Sequence, residues 1–208
     1  MISESPQTHW EKVYRDKGEK EVSWFQENPT SSLELIAEAG ATPASAIVDI
    51  GGGASRLVDA LVEQDFRHIL VVDIAESALA AAKARLGERG RSVRWMVADV
   101  TKWRPEAAAF DVWHDRATFH FLTDADDRTA YVARMKRAIK PRGHAIIATF
   151  ALDGPERCSG LPVARYDGPS LGDAIGNDFK LIRTRPEAHT TPSGAKQDFQ
   201  FSLFRFRG

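Results

Sequence analysis

A run of three glycines between two regular segments is the feature that most constrains the fold. Residues 46–50 (Ala-Ile-Val-Asp-Ile) have the composition of a buried strand, glycines fill 51–53, and a helical pattern starts near Ala54. Three adjacent glycines lose much conformational entropy on folding, so they usually mark a tight turn or a ligand lying against the main chain. The order strand, glycine loop, helix predicts a ligand-binding turn in an α/β fold.

The same alternation of strands and helices continues along the chain. The predicted strands are 46–50, 68–74, 93–100, 110–116, 144–150, 179–189 and 198–207, and the predicted helices are 8–17, 32–39, 54–64, 76–89, 125–139 and 170–176. Alternation predicts a parallel sheet with helices on both faces. The last two strands are joined by too few residues for a helical crossover, so they are expected to form an antiparallel hairpin. We therefore predict an α/β fold: a Rossmann-like, seven-stranded, mostly parallel sheet with an antiparallel last strand.

Composition limits the classes of function. The 208 residues suit a single domain, 1–208, with an N-terminal helical segment (1–43) and a Rossmann-like core (44–208). A net charge of -1 predicts no nucleic-acid partner. One cysteine excludes a disulfide or a cysteine cage within the chain, and no metal-ligand spacing is present. No apolar run is long enough for a membrane span or signal peptide, so we expect a cytoplasmic protein without a membrane partner. The sequence makes no prediction of oligomeric state.

Three acidic residues end successive predicted strands. Asp49 precedes the glycines, Asp73 ends the second strand and Asp99 ends the third. Ligands of open α/β sheets bind outside the carboxyl ends of the strands. A carboxylate about 20 residues after the glycine turn is suited to accept hydrogen bonds from ribose hydroxyls. Asp99 could accept from an exocyclic amine, with Val100 against a flat ring, so the pattern predicts a nucleoside along the strand ends.

With these motifs the chain from about residue 44 resembles the class I S-adenosylmethionine-dependent methyltransferases. Their acid-x-Gly-x-Gly-x-Gly motif matches Asp49, Gly51 and Gly53, with Gly52 between them and Ser55 in place of the third glycine. The resemblance implies that Asp49 and the glycine backbone hold the aminoacyl end of S-adenosyl-L-methionine.

The same resemblance assigns the nucleoside. It implies that Asp73, followed by Ile74, holds the ribose and that Asp99 and Val100 hold the adenine. The rival reading is a nicotinamide dinucleotide domain. That fingerprint needs a third glycine where this chain has Arg56, a position at which close helix packing leaves no room for a side chain.

The end of the fourth predicted strand bears on the methyl acceptor. The Pro-Pro motif of enzymes that methylate planar nitrogens is absent there, and His-Asp-Arg-Ala stands at 114–117. Asp115-Arg116, followed by Asp127-Arg128 and Tyr131, is similar to a pattern of thiopurine-type thiol methyltransferases. The tryptophan-rich N-terminus is similar to the lid of that family, which makes 1–43 a predicted lid. A group of seven-strand protein-lysine methyltransferases has similar features.

Candidate site residues follow from these placements. Trp24 and Asp115 are predicted to contact the cofactor, because aromatic faces attract a sulfonium cation and Asp115 lies at a strand end. The predicted catalytic residues are Asp115 and His120. The predicted acceptor-side residues are Phe25, Arg116, Phe119, Arg157, Cys158 and His189.

The sequence thus predicts an enzyme that transfers a methyl group from S-adenosyl-L-methionine by in-line displacement. The expected acceptor is a small molecule, such as a thiol or another soft nucleophile, because a thiolate is accessible near neutral pH without a base. A protein-lysine methyltransferase with a protein partner is the alternative. A cofactor-binding module without catalysis is a lesser alternative.

Overall fold

The computed structural model describes residues 5–208, and its centre is a seven-stranded sheet. Its strands are β1 (Ala46–Ile50), β2 (His68–Asp73), β3 (Arg94–Val97), β4 (Phe110–Arg116), β5 (Ile139–Phe150), β8 (Phe179–Thr190) and β9 (Lys196–Phe206). A separate small hairpin pairs β6 (Arg157–Cys158) with β7 (Leu161–Pro162). The sheet order is β3-β2-β1-β4-β5-β9-β8. Only β9 runs against its neighbours, which confirms the predicted architecture.

Within residues 5–208, six helices flank the sheet. They are α1 (Pro6–Asp16), α2 (Thr30–Glu38), α3 (Leu57–Glu63), α4 (Glu76–Leu86), α5 (Ala125–Ala138) and α6 (Gly168–Ile175). Two apolar clusters of buried side chains lie in the structure; one includes residues of α2 and α3, and the other residues of α5 and α6. Side chains of β1 enter both clusters, Ile47 on one side and Val48 on the other, as the alternation of a strand buried on both faces requires.

Several predicted boundaries were wrong for local reasons. The turn predicted at 141–143 is part of β5, which begins at Ile139 and has Arg142 at φ 67°. Helix α4 ends at Leu86 rather than 89, because Gly87 takes φ 52°, outside the helical region. Helix α3 begins at Leu57 rather than Ala54, so the loop after the glycines is longer than predicted.

Residues 5–43 of the N-terminal segment lie across the carboxyl ends of the strands and are held there by side chains. Glu11 of α1 accepts from the backbone N–H of Glu76 at 2.5 Å, so it caps the N-terminus of α4 from another helix. Further along, Glu19 bonds the guanidinium groups of Arg56 and Arg85. These contacts place α1 over the edge of the sheet where the predicted site lies.

Candidate active site

A cavity of about 300 Å³ opens at the carboxyl ends of β1, β2 and β4 and beside the loop after β3. Its floor consists of residues that follow or end these strands, among them Ile50, Gly51, Asp73, Asp99 and Thr118. The N-terminal segment and the β6–β7 hairpin also contribute to its wall. The volume is in the range of pockets that bind small molecules, and the location is where open α/β sheets bind nucleotides.

The three glycines form a loop that excludes side chains. Gly51 has φ 64° and Gly53 has φ 42°, conformations that L side chains rarely adopt. A Cβ on Gly51 would lie 1.9 Å from Thr118 Oγ1, and one on Gly52 would lie 2.5 Å from Asp49 Oδ2. The loop therefore needs glycine for backbone conformation and for close approach, and it leaves bare main chain beside the cavity.

Asp73 lies at the cavity and is 7% exposed. Its Oδ1 accepts from the backbone N–H of Ala75 at 2.8 Å, which fixes the carboxylate at the start of α4. Burial raises the pKa of Asp73 to about 7, and the hydrogen bond from the Ala75 N–H offsets part of that increase. A carboxylate in this position favours a ligand that brings hydrogen-bond donors to it.

The nucleoside side of the cavity also contains the other predicted residues. Ile74, Asp99 and Val100 all line it. Asp99 accepts from the backbone and hydroxyl of Thr101 and from Lys102 Nζ, and despite partial burial these bonds lower its pKa. The structure thus brings Asp73, Ile74, Asp99 and Val100 to one cavity.

A second, smaller cavity of about 40 Å³ lies beside the glycine loop and is lined by Asp49, Gly51, Gly52, Ser55 and Arg56, among others. Ser55 Oγ accepts from Leu57 N–H and so helps to start α3. The Asp49 carboxylate is buried, and Oδ2 has no hydrogen-bond partner among residues 5–208. An unpaired, buried carboxylate oxygen beside bare main chain suits a ligand ammonium group.

Asp49 is part of a buried chain of hydrogen bonds. His114 Nδ1 lies 2.7 Å from Asp49 Oδ1, and His114 Nε2 lies 2.9 Å from Ser32 Oγ. Acid, imidazole and hydroxyl occur here in the order of a hydrolytic triad. Ser32, however, is 1% exposed and lines neither cavity, so the chain orients Asp49 and presents no nucleophile.

Aromatic side chains of the N-terminal segment close the main cavity. Pro6, Trp10 and Tyr14 recur every four residues along α1 and line it, together with Trp24. Trp24 meets Trp10 and Tyr14 edge to face, with ring centroids 5.7 and 5.9 Å apart. Trp24 lines both cavities, whereas Phe25 lines only the second cavity.

The two neighbouring candidates at the end of β4, Asp115 and Arg116, differ in whether they line a cavity. Arg116 lines both cavities, whereas Asp115 lines neither. Asp115 is 0% exposed and accepts from the backbone N–H groups of Thr118 and Phe119 and from Tyr131 Oη at 2.6 Å. Burial raises the pKa of Asp115 to about 6, opposed by those three donors. The predicted catalytic and cofactor-contacting role of Asp115 is therefore corrected: its bonds hold the loop after β4.

His120 and His189 are also placed away from the cavity. His120 is 0% exposed, and burial lowers its pKa to about 3, with a smaller contribution from Arg116. A histidine that stays neutral and does not reach the cavity cannot take a proton from an acceptor there. His189 donates from Nε2 to the carbonyl of Ser23 at 2.7 Å, so it fixes the N-terminal segment.

The remaining acceptor-side candidates, Cys158, Phe119 and Arg157, also differ in whether they line the main cavity. Cys158 lines the main cavity, and burial raises the pKa of its thiol. Phe119 is buried against Tyr131 and Tyr166, and Arg157 is an exposed residue that bonds the carbonyl of Gly160. Phe119 and Arg157 line neither cavity, so the structure corrects both assignments.

Sequence reasoning missed several cavity residues. Thr118, Phe121, Leu122 and Leu161 line the main cavity without any motif to indicate it. The four-residue spacing of Trp10 and Tyr14 was the available signal, since it places both rings on one face of α1.

Within residues 5–208 no group of three or more His, Cys, Asp or Glu could hold a metal ion. No helix in the same part of the chain has both the length and the apolar composition of a membrane span.

Comparison with known proteins agrees with this geometry. Residues 47–143 match a family described as "Methyltransferase domain". The chain is 33% identical over 107 residues to the mouse N-terminal Xaa-Pro-Lys N-methyltransferase 1, covering 51% of this chain and 48% of that protein. It is 27% identical over 198 residues to the human eEF1A lysine and N-terminal methyltransferase, covering 94% of this chain but 27% of that protein. The chain thus spans half or less of the length of these relatives.

A third relative has a different kind of acceptor in its name. The Arabidopsis thaliana "Probable thiol methyltransferase 2" is 26% identical over 164 residues, covering 78% of this chain and 69% of that protein. Among solved structures, one reported for the conversion of a disulfide bond into a thioacetal group during echinomycin biosynthesis has a TM-score of 0.76 at 18% identity, covering 95% and 90% of the two chains.

A second solved structure shares the fold as well. It is a Burkholderia thailandensis 1,6-didemethyltoxoflavin-N1-methyltransferase with bound S-adenosylhomocysteine, which has a TM-score of 0.68 at 22% identity, covering 94% and 81%. Fold, strand-end cavity and relatives together agree with an α/β fold of the kind found in methyltransferases. Residues 47–143 are thus similar to methyltransferase domains, and the neighbour with bound S-adenosylhomocysteine supports S-adenosyl-L-methionine as the cofactor.

Proposed function

We propose that this protein transfers the methyl group of S-adenosyl-L-methionine to a small-molecule acceptor with a soft nucleophile, such as a thiol. The cofactor supplies a methyl group that is already activated by the sulfonium. The protein then has to hold the acceptor in line with that methyl group and exclude water, and positioning of this kind can lower a barrier by about 7–11 kcal/mol.

The strand-end residues support a definite placement of the cofactor. Asp73 is positioned to accept from ribose hydroxyls, and Asp99 with Val100 flanks the space for the adenine. The unpaired Oδ2 of Asp49 suits the cofactor ammonium, and the bare main chain of the glycine loop lies beside it. Trp24 lines both cavities and so lies where the nucleoside and aminoacyl sides meet, a position in which its ring can face a sulfonium.

One observation supports a soft nucleophile in particular: the charge at the acceptor end of the cavity. Arg116 and Cys158 are there, with the aromatic rings of the N-terminal segment. The acids that line the cavity among the described residues are Asp73, Asp99 and Asp127. Asp99 pairs with Lys102 Nζ at 2.9 Å on the side of the cavity that we assign to the nucleoside.

This charge distribution bears on the choice of acceptor. An amine acceptor must lose a proton before it can attack, and so needs a base at the acceptor end. A thiol needs less help, because its anion is accessible near neutral pH and is stabilised by a nearby cation. Arg116 supplies such a cation, whereas Tyr14, which shares the cavity, is a poor base: burial raises its pKa above the ordinary value, so its anion is scarce at neutral pH.

A protein amine acceptor is the second candidate, and the mouse and human relatives favour it by their names. A protein acceptor requires the N-terminal segment to move away from the cavity. Helix α1 and Trp24 cover the cavity that a side chain or the N-terminus of the acceptor protein would have to enter. A cytoplasmic location stays a prediction for either acceptor.

The test is transfer of labelled methyl from S-adenosyl-L-methionine into a cell extract separated by size into proteins and small molecules. Asp73→Ala is the control for cofactor-dependent transfer, and its folding is checked by circular dichroism. Label in the small-molecule fraction is expected. Label on a discrete protein band instead would replace the proposal with the protein acceptor. No transfer, with S-adenosylhomocysteine still bound, would favour the module without catalysis.

A further inference from the structure

Arg85 is an arginine in the last turn of α4 that lines neither cavity, yet its hydrogen bonds reach the wall of the second one. A basic residue in the last turn of a helix often does no more than interact with the helix dipole. The Arg85 side chain, however, is only 12% exposed. Its Nη1 donates to the carbonyl of Ala54 at 3.1 Å and its Nη2 to the carbonyl of Ser55 at 2.8 Å. Both of these residues line the second cavity.

The two carbonyls belong to the backbone between the glycine loop and α3. Helix α3 begins at Leu57, so Ala54 and Ser55 precede its first residue. The N–H of Ser55 donates back to the carbonyl of Gly52 at 2.8 Å, which closes a turn directly after the glycines. Because a guanidinium is planar and rigid, two bonds from Arg85 fix the position of this turn relative to α4.

The same guanidinium also holds the N-terminal segment. Nη1 of Arg85 bonds Oε2 of Glu19, and Glu19 lines the second cavity as well. The other oxygen of Glu19 accepts from Nη2 of Arg56 at 2.5 Å. On the opposite side, Asp59 of α3 accepts from Nε of Arg85 at 3.1 Å and from its Nη2 at 2.6 Å. Every nitrogen of the guanidinium therefore has an acceptor, and three of the acceptors lie in the wall of the second cavity.

The charges in this cluster balance. Two cations, Arg56 and Arg85, meet two carboxylates, Glu19 and Asp59. Burial disfavours the charge on Arg85, but the bonds to Asp59 and Glu19 outweigh it and raise the pKa of the guanidinium above its ordinary value. The side chains are largely shielded from solvent, so salt screens their attraction less than that of an exposed pair. The cluster is thus suited to hold three elements in fixed relative positions.

We infer that Arg85 is a positioning residue for the aminoacyl end of the cofactor. It holds the backbone after the glycine loop and Glu19 of the N-terminal segment in the relative positions that form the second cavity. The inference rests on the proposed placement of the cofactor, which assigns the aminoacyl end to this cavity. A ligand that has only the nucleoside should not respond to the loss of Arg85.

The experiment compares S-adenosylhomocysteine with 5′-methylthioadenosine, which has the nucleoside but lacks the aminoacyl end. Calorimetry measures both ligands on the wild type and on Arg85→Lys, which keeps the charge but cannot reach all the acceptors of a guanidinium. Arg85→Lys is expected to weaken S-adenosylhomocysteine at least tenfold and 5′-methylthioadenosine less than twofold. Arg89→Lys is the matched control, because Arg89 lies four residues further along, is exposed and pairs only with the exposed Glu63. Thermal unfolding reports whether each variant is folded.

A second variant separates positioning from direct contact with the ligand. Glu19→Gln is expected to weaken S-adenosylhomocysteine about three- to tenfold, and to add less than twofold when it is combined with Arg85→Lys, because both act through the same bond. If Arg85 instead bound the carboxylate of the cofactor, removal of the charge of Glu19 would tighten binding. If Glu19 bound the ammonium directly, its full effect would persist in the double variant. Either result would overturn the inference.

The remaining outcomes also decide. Equal weakening of the two ligands by Arg85→Lys would show a general structural role and overturn the inference, as would unchanged binding of S-adenosylhomocysteine. If Arg85→Lys does not fold, Asp59→Asn takes its place, since Asp59 lines neither cavity and reaches the second one only through the arginines it pairs with. A wild type that binds S-adenosylhomocysteine and transfers methyl groups, but whose variants show no selective loss, would leave the proposed function standing alone. A wild type that binds neither ligand would count against the proposed function and the inference together.

Discussion

Replacement of Asp73 by asparagine tests how the cofactor is held and what the site costs in stability. The substitution keeps the size of the side chain and an oxygen that can accept from the Ala75 N–H at 2.8 Å. It removes the charge and one acceptor at the ribose position. A hydrogen bond to a charged group contributes about 1.5–3 kcal/mol. We therefore expect the Kd for S-adenosylhomocysteine to rise by about 10- to 150-fold.

The pH dependence of the wild type gives a second measure of the same group. Burial raises the pKa of Asp73 to about 7 in the ligand-free protein, so the carboxylate gains a proton as the pH falls through that value. Protonation removes the negative charge and turns one of the two acceptor oxygens into a donor, which weakens the bonds from the ribose hydroxyls. The Kd of the wild type should thus rise by up to about tenfold per pH unit below 7. The Asp73→Asn protein should show no such change between pH 8 and 6.

The stability of the ligand-free protein should fall as the pH rises, whereas cofactor binding should become tighter. An acid whose pKa is higher in the folded than in the unfolded chain binds more protons when folded. The folded state is therefore favoured at low pH and loses that advantage as the pH rises from 3.8 to about 7. The full difference corresponds to at most about 4 kcal/mol at pH 8. Ligand-free Asp73→Asn should unfold at a temperature at or above that of the wild type at pH 8.

Calorimetry from pH 6 to 8 and thermal unfolding without ligand are the measurements. Asp178→Asn is a suitable control, because Asp178 is exposed, pairs with Lys136 and does not line the cavity. A wild-type Kd that is constant from pH 6 to 8, or an Asn variant that binds as tightly as the wild type, would refute the assignment of Asp73 to the ribose.

Two further perturbations follow from the loop and the lid. Gly51→Ala should destabilise the protein more than Gly40→Ala and should abolish binding of S-adenosylhomocysteine. Both glycines have a positive φ, so the backbone strain is shared. Only at Gly51 would the new Cβ meet Thr118, because nothing lies within 4 Å of a Cβ at Gly40. Thermal unfolding and calorimetry compare the pair, and equal effects would contradict the packing argument. The Glu11→Gln protein should release S-adenosylhomocysteine about two- to fivefold faster than the wild type in stopped flow. The substitution removes the charge that caps α4 at Glu76, and a charge at a helix end contributes about 0.3–1 kcal/mol. An unchanged release rate would show that α1 does not retain the cofactor.

The alternation of strands and helices was predicted well, because its signals are local. The strands, the helices and the glycine loop between β1 and α3 could be read from adjacent residues, since strand composition and positive-φ glycines act over a few positions. The final antiparallel hairpin was also predictable, since it follows from the short connection between its strands.

The neighbours Asp115 and Arg116 show where this reasoning fails. Successive side chains of a strand point to opposite faces of the sheet, and the sequence does not say which face will border the cavity. Asp115 faces Tyr131 and the helix packed there, whereas Arg116 faces Trp24 and the cavity. His120 was misjudged for a related reason: it is close in sequence to the strand end but packed against Phe150.

The sequence by itself determined the class of fold and identified the candidate cofactor residues, because both depend on contiguous residues at the ends of predicted strands. Only the tertiary structure decided how the cavity is closed and what it offers an acceptor. Glu11 reaches a helix 65 residues away, and the position of the Arg116 side chain depends on Trp24, Glu187 and Phe199, which lie on separate elements. Contacts between residues so far apart in the chain depend on packing, and no local pattern encodes them.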